Sequence, residues 1–268
     1  MKKLITLLML FTFNLVRAEV PVKITYIANA GFMYSYKDKN ILIDALFNNS
    51  FGEYLVPSNE LKNKIIKGES PFEHVDLFLV THNHGDHFYA PDVIDFLKNH
   101  DETILISPTT AGSQCFSEEK NISKQVRNIE SDVGAAVEES INDIHIKIFR
   151  LKHLGDDDGL KTTNLAYLVN FNGIKILQMG DITIEHSKSL IEKFKWEDET
   201  IDILFVSYFD LSDVSANYIK EVIKPKKIIA LHIPPKEFSK VKSDFLNVFP
   251  NGILLENSMD EISLNLVR

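Results

Sequence analysis

Thr81-His82-Asn83-His84-Gly85-Asp86-His87 packs three imidazoles and a carboxylate into one short stretch of a 268-residue chain that has nine histidines in all. Neutral imidazole is the commonest protein ligand for a metal, and carboxylate suits zinc as well. In extended backbone, residues two apart point the same way, so His82 and His84 can grip one ion as a pair. Asp86 and His87, at the turn into the next element, can face a second ion, and Gly85 lets the backbone reverse there. Incidental histidines in a polar loop are a poor account of such clustering directly after an apolar strand, residues 75–80. The segment is expected to bind metal.

Two ions need more donors than these four side chains supply. Further ligands should be polar residues at the ends of apolar strands. His153 follows the alternating strand 144–151, Asp181 follows 174–177 with Gly180 before it, and His232 ends 228–231. His145, inside a strand, reads as half-buried packing, and His74, His100 and His186 as surface residues. Tyr208, just past the strand 203–206, either borders the pocket and donates to an oxyanion or packs beside Phe209.

Around these positions strands alternate with helices. Strands at 22–27, 32–36 and 41–43 lead to a helix capped by Ser58, then to the strand 75–80 and a helix opened by Pro91. A strand at 103–106, a helix carrying Cys115, the strand 144–151 and a hairpin from 164 to 177 follow. A helix near 187–195, the strand 203–206, a helix capped by Ser212, the strand 227–231 and a helix after Pro235 complete the order. Residues 32–44 and 167–181 echo each other, since each hairpin delivers an aspartate just past its second strand. Short connections without a Gly/Ser-rich linker argue for one domain over residues 19–268.

Composition sets outer limits. With 44% hydrophobic and 25% charged residues, the chain has the makings of an ordinary globular core. Its 29 Lys and Arg against 38 Asp and Glu give a net charge of -9, which disfavours a nucleic-acid partner. The single cysteine, Cys115, excludes an intrachain disulfide. Lys2 and Lys3, the apolar run 4–16 and Ala18 have the layout of a secretory signal peptide over residues 1–18, so a periplasmic or secreted protein is expected. No segment is long and apolar enough for a stable membrane span, which takes ~20 residues.

The H-x-H-x-D-H motif resembles that of the metallo-β-lactamase fold superfamily of hydrolases, as do a later His, a Gly-Asp after a hairpin and a final His ending a strand. The resemblance covers residues 22–268. It implies an α/β fold, a four-layer αβ/βα sandwich of two pseudo-equivalent halves, which accounts for the echo. By resemblance His82, His84 and His153 hold one metal, Asp86, His87 and His232 a second, and Asp181 bridges both. Two Zn2+ per chain are implied, with Mn2+ or Fe2+ the other candidates. Asn29-Ala30-Gly31-Phe32 leading into Ile41-Leu42-Ile43-Asp44 is most similar to the ascorbate-phosphate-lactonase-like and N-acylphosphatidylethanolamine-phospholipase-like branch. Asp44 there orients a ligand of the motif; the plainer reading is a turn aspartate. The segment His153-Leu154-Gly155-Asp156-Asp157-Asp158-Gly159 departs from the family's usual Gly-rich stretch, and its aspartates read as an exposed acidic loop. Gly180-Asp181 argues against the true β-lactamase branches.

The implied chemistry is hydrolysis of an ester, lactone or phosphodiester in a small-molecule substrate. Two ions ~3.5–4 Å apart share a hydroxide, and Asp86 can act as a catalytic proton shuttle. The alternatives are an iron-dependent oxidoreductase, sulfur-dioxygenase-like, or a non-catalytic metal-binding protein. Diiron oxidoreductases typically have Glu in place of the motif's second His, which is intact here as His84. Seven ligand types argue against a closed structural site of four.

Overall fold

The computed structural model describes residues 21–171 and 173–266, so the expected signal peptide lies outside the described residues. Strands β1 (Val22–Ala28), β2 (Gly31–Tyr36) and β3 (Lys39–Ile43) form an antiparallel meander. Strands β4 (Leu77–Leu79), β5 (Ile104–Pro108) and β6 (Val126–Ile129) extend it in parallel. The second sheet repeats this plan. Strands β7 (Ala136–Ile141), β8 (Ile144–Lys152), β9 (Thr163–Phe171) and β10 (Ile174–Gln178) are antiparallel. Strands β11 (Ile203–Ser207) and β12 (Lys227–Leu231) then add in parallel. The last strand, β13 (Glu261–Leu264), returns to the first sheet and pairs antiparallel with β1.

Alternation within the strands explains the layering. In β2, Phe32 and Tyr34 enter the layer between the sheets while Met33 points outward. In β11, Ile203 and Phe205 point inward, and Leu204 and Val206 outward. Both faces are buried, which is why these strands read as apolar runs without a polar face. Phe32 of one sheet meets Phe205 of the other with ring centroids 4.7 Å apart.

Helices α1 (Asn59–Lys67), α2 (Ala90–Asn99) and α3 (Thr109–Glu118) cover the outer face of the first sheet through Leu61, Val93, Phe96 and Ala111. Helices α4 (Ile184–Ile191), α5 (Asp213–Tyr218) and α6 (Phe238–Val248) cover the second through Ile184, Ala216 and Phe245. This is the expected four-layer sandwich. The hairpin β2–β3 with parallel β4 and β5 matches β9–β10 with parallel β11 and β12.

Some local expectations need correction. The strand expected at 75–80 is only Leu77–Leu79, although Asp76 N still donates to Asn40 O and Ile104 N to Asp76 O; the Asp76 carboxylate accepts from Asn40 N at 2.9 Å and pairs with Lys39. His100 is buried, stacked on Phe96 at 4.0 Å and bonded to Ile65 O. His145 is exposed beside Ser140. Helix α4 starts earlier than expected because the Thr183 side chain caps it by accepting from His186 N.

The topology brings the ends of β3, β4, β8, β10, β11 and β12 to one edge. Strand β8 runs parallel to β10 because each is antiparallel to β9. Bonds between the halves fix that edge: Leu165 N donates to Thr81 O at 2.8 Å and His232 N to Asn29 O at 3.2 Å.

Candidate metal centre

Past β4 the backbone turns back on itself, with His87 N and Phe88 N both donating to His84 O. Gly85 is needed for space rather than for an unusual dihedral. A Cβ there would lie 3.0 Å from Asn49 Cβ, and Asn49 N donates to Gly85 O at 3.0 Å. The turn places His82, His84 and His153 in one group of donor atoms and Asp86, His87, Asp181 and His232 in another. Within each group the donor atoms all lie within 4.8 Å of one another. All seven residues singled out in the sequence therefore converge.

Asp181 stands between the groups. Its Oδ2 is 3.9 Å from both His82 Nε2 and His153 Nε2 and 3.1 Å from His232 Nε2. Its Oδ1 is 3.2 Å from His87 Nε2. Asp86 Oδ2 lies 3.3 Å from His232 Nε2, and the Nε2 atoms of His87 and His232 are 3.2 Å apart. His84 is half-buried, with Thr162 Oγ1 at 3.5 Å.

Three supporting side chains set these orientations. The buried Asp44 accepts from Thr81 N at 2.8 Å and from Thr81 Oγ1 at 2.6 Å, and its Oδ2 is 2.9 Å from His87 Nδ1. Asp44 thus bonds directly to the imidazole of a candidate ligand. A proton on His87 Nδ1 directed at Asp44 leaves Nε2 facing the cluster. Thr81, having given its hydroxyl proton to Asp44, can accept from His82 Nδ1 at 3.0 Å. Asn29 Nδ2 donates to both Asp86 Oδ2 and Asp86 O at 3.1 Å. Asn29, Asp44 and His232 all have left-handed backbone, with φ of 50°, 46° and 65°. Strain of this kind collects at functional sites.

Gly180 also has positive φ, 65°, and sits so close to β9 that an added Cβ would lie 2.3 Å from Asn164 Oδ1. Asn164 Oδ1 accepts from Asp181 N at 3.2 Å, so this contact sets the start of the Asp181 loop.

The electrostatics favour a cation. Burial, and then the charge of His87, lower the His82 pKa well below the ordinary range, so its imidazole is neutral. Burial, and then His153, also lower the His84 pKa. Burial works against ionising Asp181, yet His232 and His87 hold its pKa well below the usual carboxylate range. Burial opposes a proton on His87, but Asp181 and Asp44 together raise its pKa well above normal. Positive charge is called for where these carboxylates meet.

The donor set fits metal on an independent observation. The Nε2 atoms of His82 and His153 are buried with no hydrogen-bond partner. His153 Nδ1 donates to Leu154 O at 2.7 Å, which leaves a lone pair on Nε2. Buried polar atoms left bare cost ~1–3 kcal/mol each, so two aimed into one acidic cluster point to a ligand.

Other features were not legible in the sequence. The Tyr54 ring meets His232 edge-on at 4.2 Å, and Phe209 does so at 5.6 Å. Tyr208 is half-buried, with its ring 5.5 Å from Phe209. The acidic loop is only partly exposed, because Asp156 is buried and accepts from Gly159 N, Lys161 N and Thr162 N. Those bonds outweigh burial and hold its pKa down at about 2.

Comparison with known proteins agrees with this architecture. The family model described as the β-lactamase superfamily domain matches residues 23–232. A metal-dependent hydrolase from Pyrococcus furiosus is 24% identical over 229 residues, covering 82% of this chain and 92% of its own. The metallo-β-lactamase fold protein YhfI from Bacillus subtilis superposes with a TM-score of 0.61 at 15% identity, over 91% of this chain and 100% of that one. CmlA, a diiron β-hydroxylase from Streptomyces venezuelae, superposes at 0.59 with 17% identity, over 93% of this chain and 55% of its own. On the family match and this shared fold, the chain belongs to the metallo-β-lactamase superfamily of metal-dependent hydrolases.

Proposed function

We propose that the chain hydrolyses an ester, lactone or phosphodiester with two zinc ions. His82, His84 and His153 would hold one, Asp86, His87 and His232 the other, and Asp181 would reach both. The observation that carries this reading is the paired donor set around Asp181, into which two buried, unpartnered imidazole nitrogens point. Bound there, the metal pair supplies Lewis acidity and lowers the pKa of a water from 15.7 toward ~7.

The chain's own residues do the rest. Asp44 and Asn29 fix the direction of His87 and Asp86, so the donors need no rearrangement to act. Asp86 Oδ1 is buried without a hydrogen-bond partner and is free to take a proton during the reaction. The hydroxyls of Tyr54, whose ring meets His232, and of Tyr208, beside Phe209, can donate to the oxygen that gains charge. Export directed by residues 1–18 belongs to the same proposal and is checked by cell fractionation.

Elemental analysis of the purified protein, followed by chromogenic esters, lactones and phosphodiesters with wild type and His84→Ala, tests the reading. Two zinc per chain and His84-dependent hydrolysis support it. Iron with oxygen-dependent turnover would move the chain toward a redox role, such as that of the diiron CmlA on this fold. Bound metal without turnover on any substrate would leave a binding protein.

A further inference from the structure

Exposed apolar side chains collect on the loops that border the metal centre. Five large hydrophobic side chains stand exposed among the described residues: Phe51, Val137, Leu154, Leu160 and Val214. Three of them, Phe51 at 57%, Leu154 at 41% and Leu160 at 71%, belong to the two loops that border the cluster. The loop of residues 47–57 lies against the motif through Asn49 and Gly85, and its Tyr54 touches His232. The loop of residues 153–161 begins at His153 and is held to Asp181 by the bond from Leu154 N to Asp181 O, 2.8 Å. Val214 follows directly on the third bordering loop, which carries Tyr208 and Phe209.

Scattered exposed leucines are ordinary; concentration around one site marks a binding surface. Aromatic side chains complete it on the His232 side, where Tyr54 and Phe209 each meet the His232 ring and Tyr208 meets Phe209. The charge nearby is mostly negative. Glu53 and Glu237 act on Tyr208 against Lys240, and Asp157 and Asp158 are exposed near Leu160, against the exposed Lys161. An anionic phosphodiester meets repulsion at such a rim, whereas a neutral apolar group does not.

We propose that this rim recognises an apolar group, so that the substrate is a neutral acyl compound whose alkyl chain or aryl ring lies among Tyr54, Phe209, Phe51 and Leu160. The inference rests on the hydrolase reading for the bond that is cut, but the recognition can be measured without turnover. Each methylene withdrawn from water contributes ~0.8 kcal/mol, a factor of about 4 in affinity.

The test is calorimetric titration of the full-length, zinc-supplemented protein with octanoate and with acetate, the two differing only in chain length. Octanoate is expected to bind at least about 15-fold more tightly, equivalent to two buried methylenes. The double variant Phe51→Ser/Leu160→Ser alters two exposed positions and should fold, which its melting curve checks. It is expected to bring that ratio below about 4, the value of one methylene, while Val137→Ser, on β7, keeps the ratio. Equal binding of the two carboxylates by wild type, or an undiminished ratio in the double variant, overturns the proposal. So does a dimer in sedimentation that the double variant dissolves without any chain-length preference, since the face would then seat a second copy. A clear octanoate preference in a protein that cleaves no ester, lactone or phosphodiester sinks the hydrolase reading and leaves the apolar site standing.

Discussion

Removing the Asp44 carboxylate strips the acceptor from three buried donors at once. They are Thr81 N at 2.8 Å, Thr81 Oγ1 at 2.6 Å and His87 Nδ1 at 2.9 Å. Each buried donor left bare costs ~1–3 kcal/mol. The Thr81 hydroxyl can swing toward His87 Nδ1, already 3.4 Å away, so two bare donors are the realistic outcome. Asp44→Ala should therefore lose about 2–6 kcal/mol of folding stability, a large share of the ~5–15 kcal/mol typical of a domain. Burial raises the Asp44 pKa against the pull of His87 and Thr81, so part of this loss is offset by no longer burying a charge. Asp44→Asn separates the two roles. It keeps an oxygen for Thr81 N but turns an amide NH2 toward Thr81 Oγ1 and His87 Nδ1, so it should lose less stability than Asp44→Ala yet bind metal ~10–100-fold more weakly, the usual effect of losing an orienting partner. Chelator competition gives the metal affinities, and urea unfolding of the metal-free forms gives the stabilities. Wild-type affinity for both metal equivalents in Asp44→Asn would refute the argument that this carboxylate aims His87.

Other outcomes follow from the same geometry. Asn29→Ala should weaken one metal equivalent and spare the other, because Nδ2 contacts only Asp86; stoichiometric zinc titration reads this out. Gly180→Ala should destabilise by about 1–3 kcal/mol and loosen the Asp181 loop, since its Cβ would meet Asn164 Oδ1 at 2.3 Å in a left-handed backbone; thermal melts and metal retention check it. Burial pushes the Asp210 carboxyl up to about 6, against hydrogen bonds from Ser215 and Ile184 N. The folded state then holds this proton more firmly than the unfolded chain does. Stability should fall as pH rises from about 4 to about 6, by at most ~3 kcal/mol, and Asp210→Asn should flatten that slope in urea midpoints.

The site was legible where chain order and chemistry coincide. His153, Asp181 and His232 could be found because each polar residue ends an apolar strand, and parallel connections bring such ends to one edge. The hairpin echo proved to be a true repeat because β2–β5 and β9–β12 pair in the same order. Strand β7 went unread because its residues are mostly exposed, so no buried face imposes an apolar period. Strand β13 went unread because its partner, β1, lies at the far end of the chain. Tyr54 sits in a loop without periodicity, and only the folded contact with His232 reveals it. His100 was misjudged because its acidic neighbours in sequence say nothing about Phe96, which lies one helical turn back and stacks on it. In the acidic loop, three consecutive aspartates look alike in sequence, and only Asp156 turns inward to hold the backbone.

The central claim is that seven side chains from both halves of the fold hold a pair of cations. Anomalous diffraction from zinc-soaked crystals, collected on both sides of the zinc absorption edge, tests it most directly. Two peaks are predicted, one among the Nε2 atoms of His82, His84 and His153 and the other among Asp86, His87 and His232, with Asp181 between them. A single peak at full occupancy, or zinc bound elsewhere with these nitrogens bare, would contradict the account.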